Sequence, residues 1–163
     1  MSTLPTGRWI PTATGGDLVI IRTFQAPAED VWASVTEPER TARWFGPWKG
    51  DGRPGGTIEF QMVQEEGAPW FDAVIEACEP PHRLALTSST AHLELVLTPV
   101  AAGTELCLVH HLSGPEGVAD FGPGWEFYLD ALVASRDGIP MPRFEDYDPS
   151  MRPYFTALTT QPG

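Results

Sequence analysis

Apolar residues recur along this chain with two different periods, and the change between them marks out its elements. Leu18 to Gln25 (LVIIRTFQ) is dense in β-branched residues and is predicted to form a first strand. Pro27 then stands where helices accept proline, in the first turn, with Glu29 and Asp30 at the positive end of the helix dipole. Val31 and Val35 are one turn apart, with Trp32 beside them, so a short helix follows. Thr36 and Glu39 have the spacing of a capping box, with Pro38 between them, and predict a second short helix through Ala42 to about Phe45.

From residue 57 the period becomes two. Ile58, Phe60 and Met62 share one face, and Phe71, Ala73, Ile75 and Ala77 share another. Pro80-Pro81 makes a turn into a strand carrying Leu84 and Leu86. Leu93, Leu95 and Leu97 alternate with His92, Glu94, Val96 and Thr98. Ala101-Ala102-Gly103 is a hairpin connection into residues 104–112, where Leu106, Leu108 and His110 face one way. Short connections of this kind predict an antiparallel meander with one buried face. Phe121, Trp125, Tyr128 and Leu132 return to helical spacing, widened by Leu129 and Val133. Pro123 is read as the start of this helix and Gly138 as the residue past its end, a length of roughly 22 Å that reaches across a sheet. Residues 1–16 and 139–163 are rich in breakers and are read as an irregular arm and an irregular tail packed on the domain formed by residues 17–138.

The totals narrow the choice of partner. The 163 residues suit one domain, and 17 prolines with 16 glycines fit a fold with many turns. A net charge of −12 without a basic stripe argues against nucleic acid and anionic membranes. No stretch approaches the ~20 apolar residues of a membrane span, so a cytoplasmic protein is expected. Cys78 and Cys107 have no zinc spacing and are read as buried thiols in a reducing compartment. His110 and His111 are adjacent on a strand and face opposite sides, so they cannot chelate one ion; neither a metal nor a cofactor is expected. Glu59, Asp72, Glu76 and Glu94 lie opposite the apolar stripes, and no inward carboxylate pair is visible.

The order of elements, one strand, two short helices, five strands and a long helix, resembles the helix-grip fold of the START-like (SRPBCC) superfamily. Several motifs resemble its activator-of-heat-shock-protein-ATPase-like family: Pro27 with Val31-Trp32, Trp44 near the end of the second helix, Gly55-Gly56 before a strand, Pro80-Pro81 with Leu84, Gly103-Thr104 leading to His110, and Gly124-Trp125 with Tyr128-Leu129. The resemblance implies an α+β fold in which a curved antiparallel β-sheet wraps around a long C-terminal α-helix. It also implies an apolar cavity between the two. Residues predicted to face it are Phe60, Met62, Phe71, Ile75, Leu95 and Leu97, then Leu108 and His110, and from the helix Trp125, Tyr128 and Leu132. Trp44, Phe45 and Trp48 are placed near a mouth.

Three functions remain open on the sequence. The first is a protein holding an apolar or aromatic small molecule, with His110 and Tyr128 as polar handles. The second is a cyclase- or hydrolase-like enzyme with His110 as the candidate base. The third is a chaperone-associated interaction module. A homodimer built through the tail also stays open.

Overall fold

The computed structural model describes residues 4–89 and 91–160; the irregular structure expected of residues 1–3 and 161–163 lies outside the described residues. Eight strands form one sheet, antiparallel throughout, in which the chain's first and last long strands lie side by side. They are β1 (Arg8–Thr12), β2 (Gly15–Phe24), β3 (Trp48–Gly50), β4 (Thr57–Gln61), β5 (Trp70–Glu79), β6 (Arg83–Ser88), β7 (His92–Val100) and β8 (Gly103–Leu112). Their order across the sheet is β1-β2-β8-β7-β6-β5-β4-β3. Helices α1 (Ala28–Thr36) and α2 (Pro38–Thr41) fill the turn between β2 and β3. Helix α3 (Val118–Asp137) lies across the concave face, and α4 (Arg152–Thr160) packs against α3. This is the helix-grip architecture.

Several expectations are corrected by the packing. The N-terminal arm is not irregular: Arg8–Thr12 pairs with β2 in register from Arg8↔Val19 to Thr12↔Gly15. Gly16, read as a breaker, instead leaves room for the Trp9 ring, which an added Cβ would meet at 2.3 Å. The C-terminal tail is not wholly irregular either, because Arg152–Thr160 is helical. Pro153 falls in its first turn, where a missing N–H costs nothing. Helix α3 starts at Val118, before Pro123, so that proline lies inside the helix. Only one backbone bond is lost there. Gly122 precedes it and has no Cβ to clash with the proline ring. The capping box is absent: no side chain caps α2, and the Thr36 hydroxyl donates instead to the Trp32 carbonyl at 2.7 Å. Helix α2 ends at Thr41, with turns after it.

A β-bulge in β5 changes which residues face inward. Ile75 pairs with Leu86, but the next partners are Ala77 and Ala85, so Glu76 is the extra residue. The parity therefore flips, and Cys78 rather than Ala77 joins the inner face beside Leu84. Both cysteines are free and only partly buried.

The core sits where β2, β8, α1 and α3 meet. Leu18, Ile20, Leu106, Val31 and Leu132 have no exposed surface. Phe155 of α4 is equally buried and closes the core from the far side of α3. Its ring lies 2.4 Å from the point a Cβ on Gly122 would occupy. Gly122→Ala should therefore destabilise the protein by about 1–3 kcal/mol through overpacking, although alanine is the better helix former by about 1 kcal/mol. Urea unfolding of the variant measures this. A gain in stability would show that the Phe155–Gly122 contact is loose.

Candidate functional site

The concave face of the sheet and helix α3 do not close on each other. Between them lies a cavity of about 600 Å³. Drug-sized ligands occupy pockets of about 300–1,000 Å³, and an apolar cavity near 150 Å³ already binds benzene. The sheet supplies Ile58, Phe60, Phe71, Ile75, Leu84, Leu86, Leu93, Leu95, Leu108 and His110. Helix α3 supplies Phe121, Gly124, Trp125, Tyr128 and Leu129, and the corner after α1 supplies Trp44, Phe45 and Trp48. Met62 and Glu65 come from the loop after β4, and Phe144 from the C-terminal segment.

Of the residues predicted to face the cavity, Leu97 and Leu132 do not line it. They are 2% and 0% exposed and belong to the core between sheet and helix. Helical spacing puts Leu132 on the stripe of Phe121, Trp125 and Tyr128, but the space has closed by that turn. The other predicted residues are in the lining, together with Leu84, Leu86, Leu93, Phe121 and Leu129, which strand and helix parity could have supplied.

Two tryptophans build the corner with their N–H groups. The last carbonyls of a helix lack intrahelical partners. Trp44 Nε1 donates to the Ser34 carbonyl at 2.9 Å, and Trp48 Nε1 donates to the Thr36 carbonyl at 2.7 Å. These bonds tie the residues after α2 to the end of α1. Aromatic rings then follow one another around the cavity. Ring centres are 5.8 Å apart for Phe71–Phe60, 5.8 Å for Phe60–Phe45 and 5.0 Å for Phe45–Tyr128. The series continues with 5.9 Å for Tyr128–Trp125, 6.1 Å for Trp125–His110 and 4.5 Å for His110–Phe121. All are in the range of favourable edge and offset contacts.

Polar groups are few. The Tyr128 hydroxyl donates to Glu65 Oε1 at 3.1 Å. Burial, then the Glu65 carboxylate, holds this phenol above its ordinary pKa, so it stays protonated. Trp125 Nε1 donates to His110 Nδ1 at 3.0 Å. His110 is 1% exposed, and its Nε2 is buried with no hydrogen-bond partner among the described residues. An orphaned buried polar atom of this kind costs about 1–3 kcal/mol. The lining includes the carboxylate residues Glu65 and Asp120, with Glu94 contributing while its carboxylate pairs with His111 and Arg83 on the other face, and no Arg or Lys among the described residues.

Adjacent His111 points to the other face, where Nδ1 lies 2.7 Å from Asp17 and Nε2 lies 3.0 Å from Glu94. Its ring also meets His92 at 4.7 Å. Among the described residues no group of three or more His, Cys, Asp or Glu side chains is placed to hold a metal ion. No helix among them is long and apolar enough to cross a membrane.

One buried carboxylate escaped sequence reading. Glu126 has no exposed surface and accepts from the Thr6 and Gly7 backbone N–H groups and from Arg22 at 2.8 Å. It does not line the cavity. A signal was present, since Glu126 is a lone charge inside the run Trp125-Glu126-Phe127-Tyr128-Leu129.

Residues 25–135 match the model of the Activator of Hsp90 ATPase homolog 1-like protein family. The chain belongs to this family. Among solved structures it is similar to CalU16 from Micromonospora echinospora, with 28% identity over 99% of this chain and 100% of that one and a TM-score of 0.76. A protein encoded by gene BPP1335 from Bordetella parapertussis shares the fold at 23% identity, 95% and 92% coverage and a TM-score of 0.74. DynU16, from the dynemicin biosynthetic locus, shares the fold at 24% identity and a TM-score of 0.66, over 78% of this chain and 50% of that one. No curated protein matches the chain.

His110 gives the site a pH signature. Burial first, then the neighbouring His111 and His92, lowers its pKa to about 4. An unfolded histidine titrates near 6.5. Between those values the unfolded chain binds a proton that the folded chain does not. His110 therefore leaves stability intact above about pH 6.5 and reduces it as the pH falls toward 4, by up to about 3 kcal/mol. His111 acts in the opposite sense. Desolvation lowers its pKa, but Glu94 and Asp17 outweigh that and raise it, so its contribution is present at low pH and is lost as the pH rises through its folded value. His110→Phe should flatten the fall in unfolding free energy between pH 6.5 and 4. An unchanged slope would mean that His110 is not held neutral.

Proposed function

We propose that this protein binds an apolar, aromatic small molecule in the cavity between the sheet and α3. The observation that carries the reading is the lining itself: about 600 Å³ of space bounded by aliphatic side chains and an arc of aromatic rings from Phe71 to Phe121. Planar aromatic ligands gain from such rings through burial, at about 25 cal/mol per Å² of apolar surface, and through face and edge contacts. The absence of basic residues from the described lining leaves an anionic group without a partner, so a neutral ligand fits best.

Binding is favoured over catalysis by the state of His110. A general base needs a free lone pair and a pKa near the working pH. His110 Nδ1 already accepts from Trp125, which leaves the proton on Nε2 in the neutral ring. Neither nitrogen then has a lone pair to offer, and the pKa of about 4 lies well below neutrality.

Gly124 allows a test that separates cavity from fold. It lines the cavity, its backbone needs no left-handed conformation, and a Cβ there would meet nothing within 4 Å. Gly124→Leu places a side chain in the open space and should preserve or raise stability, since glycine is the poorer helix former. In thermal melts against two- to four-ring aromatic hydrocarbons and ketones, the wild-type Tm should rise with ligand concentration. The Gly124→Leu variant should show little or no shift. No shift in the wild type with any compound, or equal shifts in both proteins, would contradict the proposal.

A further inference from the structure

His110 lines the cavity, and its buried Nε2 is left without a hydrogen-bond partner among the described residues, so the chemistry of the site can be specified further than the shape of the pocket. Trp125 and His110 are held by different elements, α3 and β8, and meet at 3.0 Å between indole Nε1 and imidazole Nδ1. Indole nitrogen can only donate, so Nδ1 must accept. A neutral imidazole accepting at one nitrogen carries its hydrogen on the other. Nε2 is therefore an N–H donor, and it is the buried side-chain atom left unpaired. Burial keeps the ring from gaining a second proton near neutral pH, which would otherwise let both nitrogens donate.

Building on the binding function above, we infer that His110 Nε2–H is a fixed donor which selects aromatic ligands bearing a neutral carbonyl oxygen, and that Trp125 is the positioning residue that fixes its tautomer. A carbonyl oxygen accepts without bringing a hydrogen or a charge. A hydroxyl would accept equally but needs a partner for its own hydrogen, and a carboxylate would need a countercharge that the described lining lacks. A pure hydrocarbon would leave Nε2–H as unpaired as it is without ligand. Nε2 has no contact with solvent, so the ligand oxygen reaches it by displacing a ring packed on the imidazole. Phe121 suits that movement: its ring, 4.5 Å from the imidazole, is nearer than that of Trp125 at 6.1 Å, and the residue already reaches solvent.

The test uses 9-fluorenone, fluorene and 9-fluorenol, which share one rigid skeleton and differ at a single position. Affinities come from titration calorimetry at neutral pH, and the carbonyl stretch of bound fluorenone from infrared difference spectra. The wild type should bind fluorenone about tenfold more tightly than fluorene, the scale of one net hydrogen bond, with the carbonyl stretch moved to lower frequency. His110→Phe should bring the ratio of the two affinities close to one and abolish the frequency shift. Trp125→Phe frees the tautomer, so fluorenone should lose part of its preference while fluorenol, which can donate to an unprotonated Nε2, gains relative to it. Equal wild-type affinity for fluorenone and fluorene, or a fluorenone preference that survives in His110→Phe, would overturn the inference and leave the binding function standing. Failure of every compound to bind the wild type would overturn both. Should His110→Phe not fold, His110→Leu removes the same donor and carries the same comparison.

Discussion

A polar clamp joins α3 to β2 beside the cavity. Glu126 and Asp130 are one turn apart on the face of α3 that meets β2, and neither lines the cavity. Between them they grip Arg22 of β2, at 2.8 and 2.9 Å, while the arm donates backbone N–H groups to Glu126 and Tyr147 donates to Asp130 at 2.7 Å. The Glu126 side chain has no exposed surface and that of Arg22 is 13% exposed, so removing either partner would strand a buried charge at a cost of about 3–5 kcal/mol. Directional contacts of this kind set the height of α3 above the sheet. Apolar burial alone would favour collapse of Tyr128 and Trp125 onto Leu95 and Leu108, since burial has no preferred geometry. On this account a polar cluster outside the apolar pocket fixes where α3 lies over the sheet.

Tryptophan solves a related problem at the pocket wall. Trp44, Trp48 and Trp125 each spend their N–H on a fixed acceptor: the Ser34 carbonyl, the Thr36 carbonyl and His110 Nδ1. With those donors satisfied, the ring surfaces turned to the cavity are effectively apolar. The same bonds remove rotational freedom from large side chains, so the aromatic arc is preorganised.

Much of this was legible in the chain. Period-two alternation in residues 57–63 and 92–112, and the spacing of Phe121, Trp125 and Tyr128, carry direct information about which face is buried. They identified the meander, the long helix and most of the inward-facing residues, while the helix-grip arrangement and its cavity came from the resemblance. Leu132 was misplaced because periodicity reports a face and not how far the partner surface has closed along it. Ala77 was placed on the inner face because a bulge shifts parity without altering composition. The strand at Arg8–Thr12 and the helix at Arg152–Thr160 are short, each contains a proline, and they depend on tertiary contacts such as Trp9 over Gly16 and Phe155 against Gly122. The state of His110 was not legible at all. Its inward direction follows from strand parity, but the Trp125 bond that fixes its tautomer joins residues on different elements.

The central claim is that apolar space between sheet and helix is open to a guest, and xenon tests it without assuming any ligand chemistry. Xenon enters apolar cavities and is strongly visible in X-ray diffraction. Crystals of the protein pressurised with xenon should show discrete density bounded by Leu95, Leu108 and Tyr128 on the concave side of the sheet. Side chains closing that space, with no xenon between sheet and α3, would contradict the account and direct attention to the protein's surface.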